Sequence, residues 1–165
     1  MKKEIDKACF AAGCFWGVEY VFKKFPGIEK IQVGYTGGGI KNPTYMQVCT
    51  GLTGHAEAVY IKFNPLKISY DKLLEIFFKC HDPTTINKQG PDRGSQYRSA
   101  VFYYNPAQKK SAKRSKKDYE KVLGKKIVTS IEPAKEFYPA EDYHQDYYSK
   151  TGAAPYCHIV PRVKI

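Results

Sequence analysis

The chain has 165 residues, 42% of them hydrophobic, and a formal net charge of +11. That length suits one compact domain, residues 1–165, able to bury roughly 70% of its extended-chain surface without a disulfide or metal staple. No stretch approaches the ~20 apolar residues of a membrane span. The opening MKKEIDKACF also lacks the apolar core of a secretory leader. Five cysteines with no CxxC spacing read as reduced thiols in a cytoplasmic protein, one or more of them functional.

Taken in chain order, KACFAAG (7–13) reads as a short buried strand. A helix follows with Cys14, Val18, Val21, Phe22 and Phe25 on one face, stopped by the PG pair at 26–27. A second strand spans 28–39, with Ile31, Val33 and Tyr35 on one face and three glycines at its end. A short helix at 43–49 precedes a strand at 55–63. A helix over about 70–81 then aligns Leu73, Leu74, Phe77 and Phe78. The polar, Gly- and Pro-rich stretch 81–97 is too long for a simple connector, and such loops often carry function. A strand at 98–104, a basic helix at 106–123, a strand at 127–132 and a short helix near 140–149 complete the body. Residues 150–165 form a loop-like tail, expected to be mobile. The order predicts an α+β two-layer sandwich with a ferredoxin-like βαββαβ element, a mixed sheet, long loops and a coiled C-terminal tail.

Charge is concentrated between Lys109 and Lys126, where nine basic residues face only Asp118 and Glu120, a local +7 of the total +11. A solvated helix face explains this better than a nucleic-acid surface. No nucleic-acid or membrane partner is expected, and a monomer is.

Two residues carry the chemical reading. Cys14 follows Gly13 at a strand-to-helix turn, where unpaired helix N–H groups favour a thiolate. Phe15 and Trp16 can build an apolar pocket beside the thiol, although core packing would use the same rings. In GHAEAVYIKF, Glu57 falls in phase with Val59, Ile61 and Phe63. A partly buried carboxyl there would stay protonated near neutral pH and could donate a proton. Alternatively, both strand faces are covered, or Glu57 pairs with a lysine at an exposed strand end.

Rival chemistries fit less well. The HAE triplet resembles the zinc deaminase pattern, but no C-x-x-C follows it. Cys80-His81 and Cys157-His158 are adjacent pairs that cannot easily converge on one ion, so no metal is expected. A cysteine hydrolase would need His55, His81, His144 or His158 as the base for Cys14, and would leave Glu57 without a task. A thiolate, a neutral acid, phenol donors and an aromatic wall together suit sulfoxide reduction. The oxygen leaves only when protonated, and attack converts the cysteine to a sulfenic acid that a second thiol can resolve.

GCFWG (13–17), GYTGG (34–38), PTYMQVCTGLTGHAEAV (43–59), HDPTTINKQGPDRGSQYRSAVFYY (81–104) and AEDYHQDY (140–147) run in one order along nearly the whole chain. In these motifs the chain resembles the peptide methionine sulfoxide reductases of the A class. The resemblance implies reduction of the S epimer of methionine sulfoxide, free or in proteins, with Cys14 as nucleophile and Glu57 as proton donor. It implies that Tyr45 and Tyr97 hold the oxygen, that Phe15 and Trp16 receive the methyl, and that Asp92 fixes the substrate backbone. It further implies no bound cofactor, with thioredoxin, or dithiothreitol in vitro, as reductant. Some family members carry two cysteines in a glycine-rich tail; this chain has Cys157 alone there. By analogy with members having one tail cysteine, Cys157 is expected to resolve the sulfenic acid through a disulfide. Cys49 is the second candidate, and direct reduction of Cys14 by an external thiol the third.

Overall fold

The computed structural model describes residues 4–164. Its strands and helices are β1 (Asp6–Ala12), α1 (Phe15–Phe22), β2 (Ile28–Thr36), α2 (Tyr45–Cys49), β3 (Ala56–Phe63), α3 (Tyr70–Cys80), β4 (Lys88–Gln89), β5 (Asp92–Arg93), β6 (Ser99–Tyr103), α4 (Pro106–Leu123), β7 (Ser130–Pro133), β8 (Tyr138–Pro139) and α5 (Tyr147–Thr151). The main sheet runs β7-β6-β1-β3-β2-β8. Its central four strands, β6-β1-β3-β2, each run antiparallel to their neighbours among the four and form the expected βαββαβ element. Strand β7 adds in parallel to β6, which makes the sheet mixed. Among the described residues no helix is long and apolar enough to cross a membrane.

Strand alternation explains the layers. On β1, Ala8, Phe10 and Ala12 face α1 and α3, where Phe10 stacks on Phe22 at 5.6 Å and Phe77 at 5.1 Å. The opposite face is built from Cys9, Ala11, Ala56, Ala58 and Ala100 with Phe102. These small side chains let Phe137 and Ala134, on the extended segment leading to β8, lie close against the sheet. Helix ends carry local caps. Thr44 and Gln47 form a capping box that fixes α2, while Asn105, Pro106 and left-handed Gly124 bound α4.

Three expectations shift. The stretch 81–97 is not a bare loop: it holds the β4–β5 hairpin and a 3-10 turn at Ser95–Tyr97. The strand expected at 127–132 begins only at Ser130, because Val128 N–H donates to Pro83 O and Thr129 is bound by Ser99 and Lys116. The helix expected near 140–149 is split into a 3-10 turn (Asp142–His144) and α5, since Asp146 between them takes φ 56°. Strand β8 has no counterpart among the elements expected from the sequence.

Residues 153–164 have no regular structure, yet they are anchored. His158 is buried and hydrogen-bonds Ala12 O through Nε2 at 2.6 Å, and Ile159 N–H donates to Cys80 O at 3.2 Å. The His158 ring lies so close to Gly17 that a Cβ there would overlap it. Gly17→Ala should therefore unseat the tail while leaving the sheet intact. Amide exchange across residues 155–161 is expected to speed up by about tenfold, with unchanged exchange in β1 and β3. Unaltered protection of the tail would show that His158 is not its anchor.

Candidate active site

The site begins where β1 ends. Gly13 has φ +89°, a backbone state that other residues enter at a cost, and a Cβ there would also overlap Gln89. The turn leaves Cys14 as N-cap of α1, with its carbonyl accepting from Gly17 N–H at 3.2 Å and Val18 N–H at 3.3 Å. Cys14 is 6% exposed.

Glu57 sits on β3 opposite Tyr35 of β2 and is 1% exposed. Both faces of β3 are covered around it, with Ala56 and Ala58 buried behind and the main core in front. Its Oε1 accepts the Phe15 N–H at 3.2 Å, while Oε2 is buried with no hydrogen-bond partner. Burial pushes the carboxyl up to about 8; the Phe15 N–H pulls it back and Asp92 pushes it further. An acid with one oxygen held and the other free is set to donate a proton at neutral pH.

The thiol differs from expectation. Burial first, then Glu57, push Cys14 up from its ordinary 9.0 to about 12, against the pull of the Trp16 and Gly17 N–H groups. That rise is worth on the order of 4 kcal/mol, about twice what a helix N-terminus returns at best. Cys14 is therefore held as a thiol, not a thiolate, in the ligand-free site.

Tyr45 at the start of α2 and Tyr97 in the 3-10 turn share this field. Burial and Glu57 oppose ionisation of both phenols, so each keeps its proton to donate. Cys49 is exposed on α2, within hydrogen-bonding reach of Tyr45 and Gln96. Asp92 on β5 acts on Cys14, Glu57 and Tyr97, but its Oδ2 is engaged by the tail, accepting from Tyr156 at 3.3 Å and Cys157 Sγ at 3.5 Å. Cys157 lies against Gly90 and is pushed up to about 12 by burial and Asp92. Phe15 is fully buried between Tyr35 and His144. Trp16 is half-buried, its indole N–H donating to His144 Nδ1 at 3.0 Å.

Residues 141–145 matter more than their sequence suggested. Glu141 accepts the Tyr35 hydroxyl at 2.9 Å, the Tyr45 N–H at 3.1 Å and the Tyr143 hydroxyl at 3.4 Å, so it ties α2 to β2. Gln145 grips the backbone of Val33 through both its N–H and its carbonyl. The only signal was the density of polar and aromatic side chains in AEDYHQDY.

Histidines do not serve the thiol. His55 and His81 use both ring nitrogens on Gly38, Ile40, Phe77 and Ser99; His144 takes Trp16 and His158 takes Ala12. Among the described residues no histidine hydrogen-bonds Cys14. Nor do three or more His, Cys, Asp or Glu side chains there converge as a metal site. An open groove of about 930 Å³ lies elsewhere, over α4 and β7, lined by Lys113, Lys116, Lys117, Lys121, Lys125 and Lys126 among others.

Comparison with known proteins places the chain in one family. A model of the peptide methionine sulfoxide reductase family matches residues 6–165. Peptide methionine sulfoxide reductase MsrA of Sulfolobus acidocaldarius is 52% identical over 162 residues, covering 97% of this chain and 92% of that protein. The reduced form of Mxr1 from Saccharomyces cerevisiae superposes with a TM-score of 0.91 at 38% identity, over 96% of this chain and 93% of that one. Mxr1 in complex with Trx2 gives 0.67 at 29% identity, over 98% and 96%.

The buried carboxyl makes a stability prediction. Its folded-state value lies above the ordinary 4.5, so the stability it contributes is fully present below 4.5 and is lost as pH rises through about 8. Glu57→Gln lacks this loss. Its stability relative to the parent should climb by on the order of 1 kcal/mol per pH unit between about pH 5 and 8, then level off. Denaturant melts across that range measure it. A pH-independent difference would place the Glu57 titration elsewhere.

Proposed function

This chain belongs to the peptide methionine sulfoxide reductase family and is an oxidoreductase that reduces methionine sulfoxide, and on that premise we propose how its own residues do so. The substrate is the S epimer, free or within a protein. One observation carries the mechanism: beside the Cys14 thiol, a buried and protonated Glu57 has Oε1 held by Phe15 N–H and Oε2 without a partner.

Cys14 sulfur attacks the sulfoxide sulfur as Glu57 Oε2–H protonates the sulfoxide oxygen. The thiol proton replaces the one Glu57 gave up. The sulfur–oxygen bond of the substrate breaks as the protonated oxygen bonds to Cys14 sulfur, the bond between Cys14 and the substrate sulfur breaks as methionine departs, and Cys14 is left as a sulfenic acid. Cys14 loses two electrons and the methionine sulfur gains them. Tyr45 and Tyr97, both held protonated, donate hydrogen bonds to the oxygen as charge builds on it. Trp16 forms the apolar wall for the methyl with Phe15 packed behind it. Asp92 takes the substrate backbone N–H, exchanging the tail contacts it makes here.

Cys157 then attacks the sulfenic sulfur, water leaves and a Cys14–Cys157 disulfide forms. Its place on a tail without regular structure, against the same Asp92 that faces Cys14, supports this role. Thioredoxin reduces the disulfide; the structure of the relative Mxr1 with Trx2 supports that partner. No bound cofactor is needed. Five free thiols suit a reducing cytoplasm.

Separated S and R epimers of N-acetyl-methionine sulfoxide, incubated with dithiothreitol and followed chromatographically, test the reaction. The S epimer alone should disappear, and Cys14→Ser should stop it. No loss of either epimer with folded protein would overturn the proposal. Cys157→Ser should form one methionine per chain as fast as the parent but turn over slowly with thioredoxin. An unchanged thioredoxin-dependent rate would pass the resolving role to Cys49 or to direct reduction of Cys14.

A further inference from the structure

A second buried acid is left unused by the reaction. Glu19 lies on α1 one turn beyond Trp16 and is 3% exposed. Its Oε1 accepts the Asp146 N–H at 2.9 Å, and the Tyr147 N–H is also turned toward its carboxyl. These are the amides of the N-cap and of the first residue of α5, which has no local side-chain cap. Helix starts leave such N–H groups unsatisfied, and a five-residue helix cannot hold itself together.

Asp146 is held twice over. Its backbone is in the left-handed region, φ 56° and ψ 35°, a strained state for a residue with a side chain. Glu19 takes its amide, and Lys23, one turn further along, takes its carboxylate. The next residue is Tyr147, whose ring lies flat on Trp16 with centroids 3.6 Å apart and planes 7° apart. Tyr148 meets Tyr20 edge-on at 5.9 Å. Positions 16, 19, 20 and 23 thus form one helical stripe that seats α5, from which the tail bearing Cys157 departs.

We infer that Glu19 is a positioning residue for the substrate pocket: by holding the Asp146 amide it keeps Tyr147 stacked on Trp16 and fixes the indole that donates to His144. The link to turnover rests on the proposed role of Trp16 as the methyl wall. Burial pushes the Glu19 carboxyl up to about 7, opposed by Lys23 and Lys150. Either protonation state retains an oxygen acceptor for the amide, so Glu19→Gln should preserve the latch. Glu19→Met, similar in length, removes it.

Trp16 is the only tryptophan in the chain, so its fluorescence reads its environment directly. In Glu19→Met, with folding verified by circular dichroism, emission should shift to the red and quenching by acrylamide should rise. The KM for S-epimer N-acetyl-methionine sulfoxide should increase by up to about tenfold, the upper end of what losing one hydrogen bond costs. The kcat should stay within about twofold, and Glu19→Gln should restore both readouts. If Glu19→Met does not fold, Glu19→Ala is measured in the same way. Unchanged emission and quenching in a folded variant lacking the acceptor would overturn the inference. Altered fluorescence with an unchanged KM would also overturn it, by separating the latch from the pocket, and would leave the reductase chemistry standing. Failure of the parent to reduce either epimer would instead strike the proposed function, with the fluorescence comparison still interpretable.

Discussion

A carboxyl group has been placed where water cannot reach it, and the rest of the site is arranged around that cost. An ionised Glu57 at 1% exposure would be unaffordable without a cation, and no lysine or arginine is among the groups that shift it. The group stays protonated instead, with a value of about 8. Like charges in one apolar space exclude each other, so the Cys14 thiol is pushed up as well, by burial and by Glu57. The phenols of Tyr45 and Tyr97 follow for the same reasons. The ligand-free site is a collection of neutral proton donors, which is what a bound oxygen atom would require before it could leave.

Rigid elements supply the close geometry and irregular ones supply the surround. Cys14 and Glu57 stand on neighbouring parts of the central sheet, at the end of β1 and on β3, and are linked by the Phe15 N–H. Around them, short segments are tied down by individual polar side chains. Glu141 joins α2 to Tyr35, Gln145 mimics a paired strand against Val33, and Glu19 with Lys23 grips Asp146. Such attachments hold without a large apolar area, and the tail carrying Cys157 is held in the same way, by Tyr156 and Cys157 on Asp92, His158 on Ala12 and Ile159 on Cys80.

Much of this was legible because the central strands and helices obey simple periods. The alternation of β3 placed Glu57 on the same side as Val59, Ile61 and Phe63, all now buried in the core. The apolar stripes of α1 and α3 likewise marked the faces that cover Phe10. What escaped was non-local. Strand β8 is two residues long and forms because Gly34 and Tyr35 offer it an edge. The break at Asp146 follows from Glu19, 127 positions earlier, holding its amide. The Cys14 expectation went astray on magnitude: the helix N-terminus is present, but burial beside an acid outweighs it.

The protonation of Glu57 in the folded, ligand-free protein is therefore the quantity to measure. Carbon-13 NMR of glutamate carboxyls, assigned by difference against Glu57→Gln, would follow this one group from pH 5 to 9.5. A carboxyl that remains protonated through neutrality and titrates near 8 is the expected result. A resonance already ionised at pH 6 would contradict the account, because the buried acid could not then give a proton to the sulfoxide oxygen.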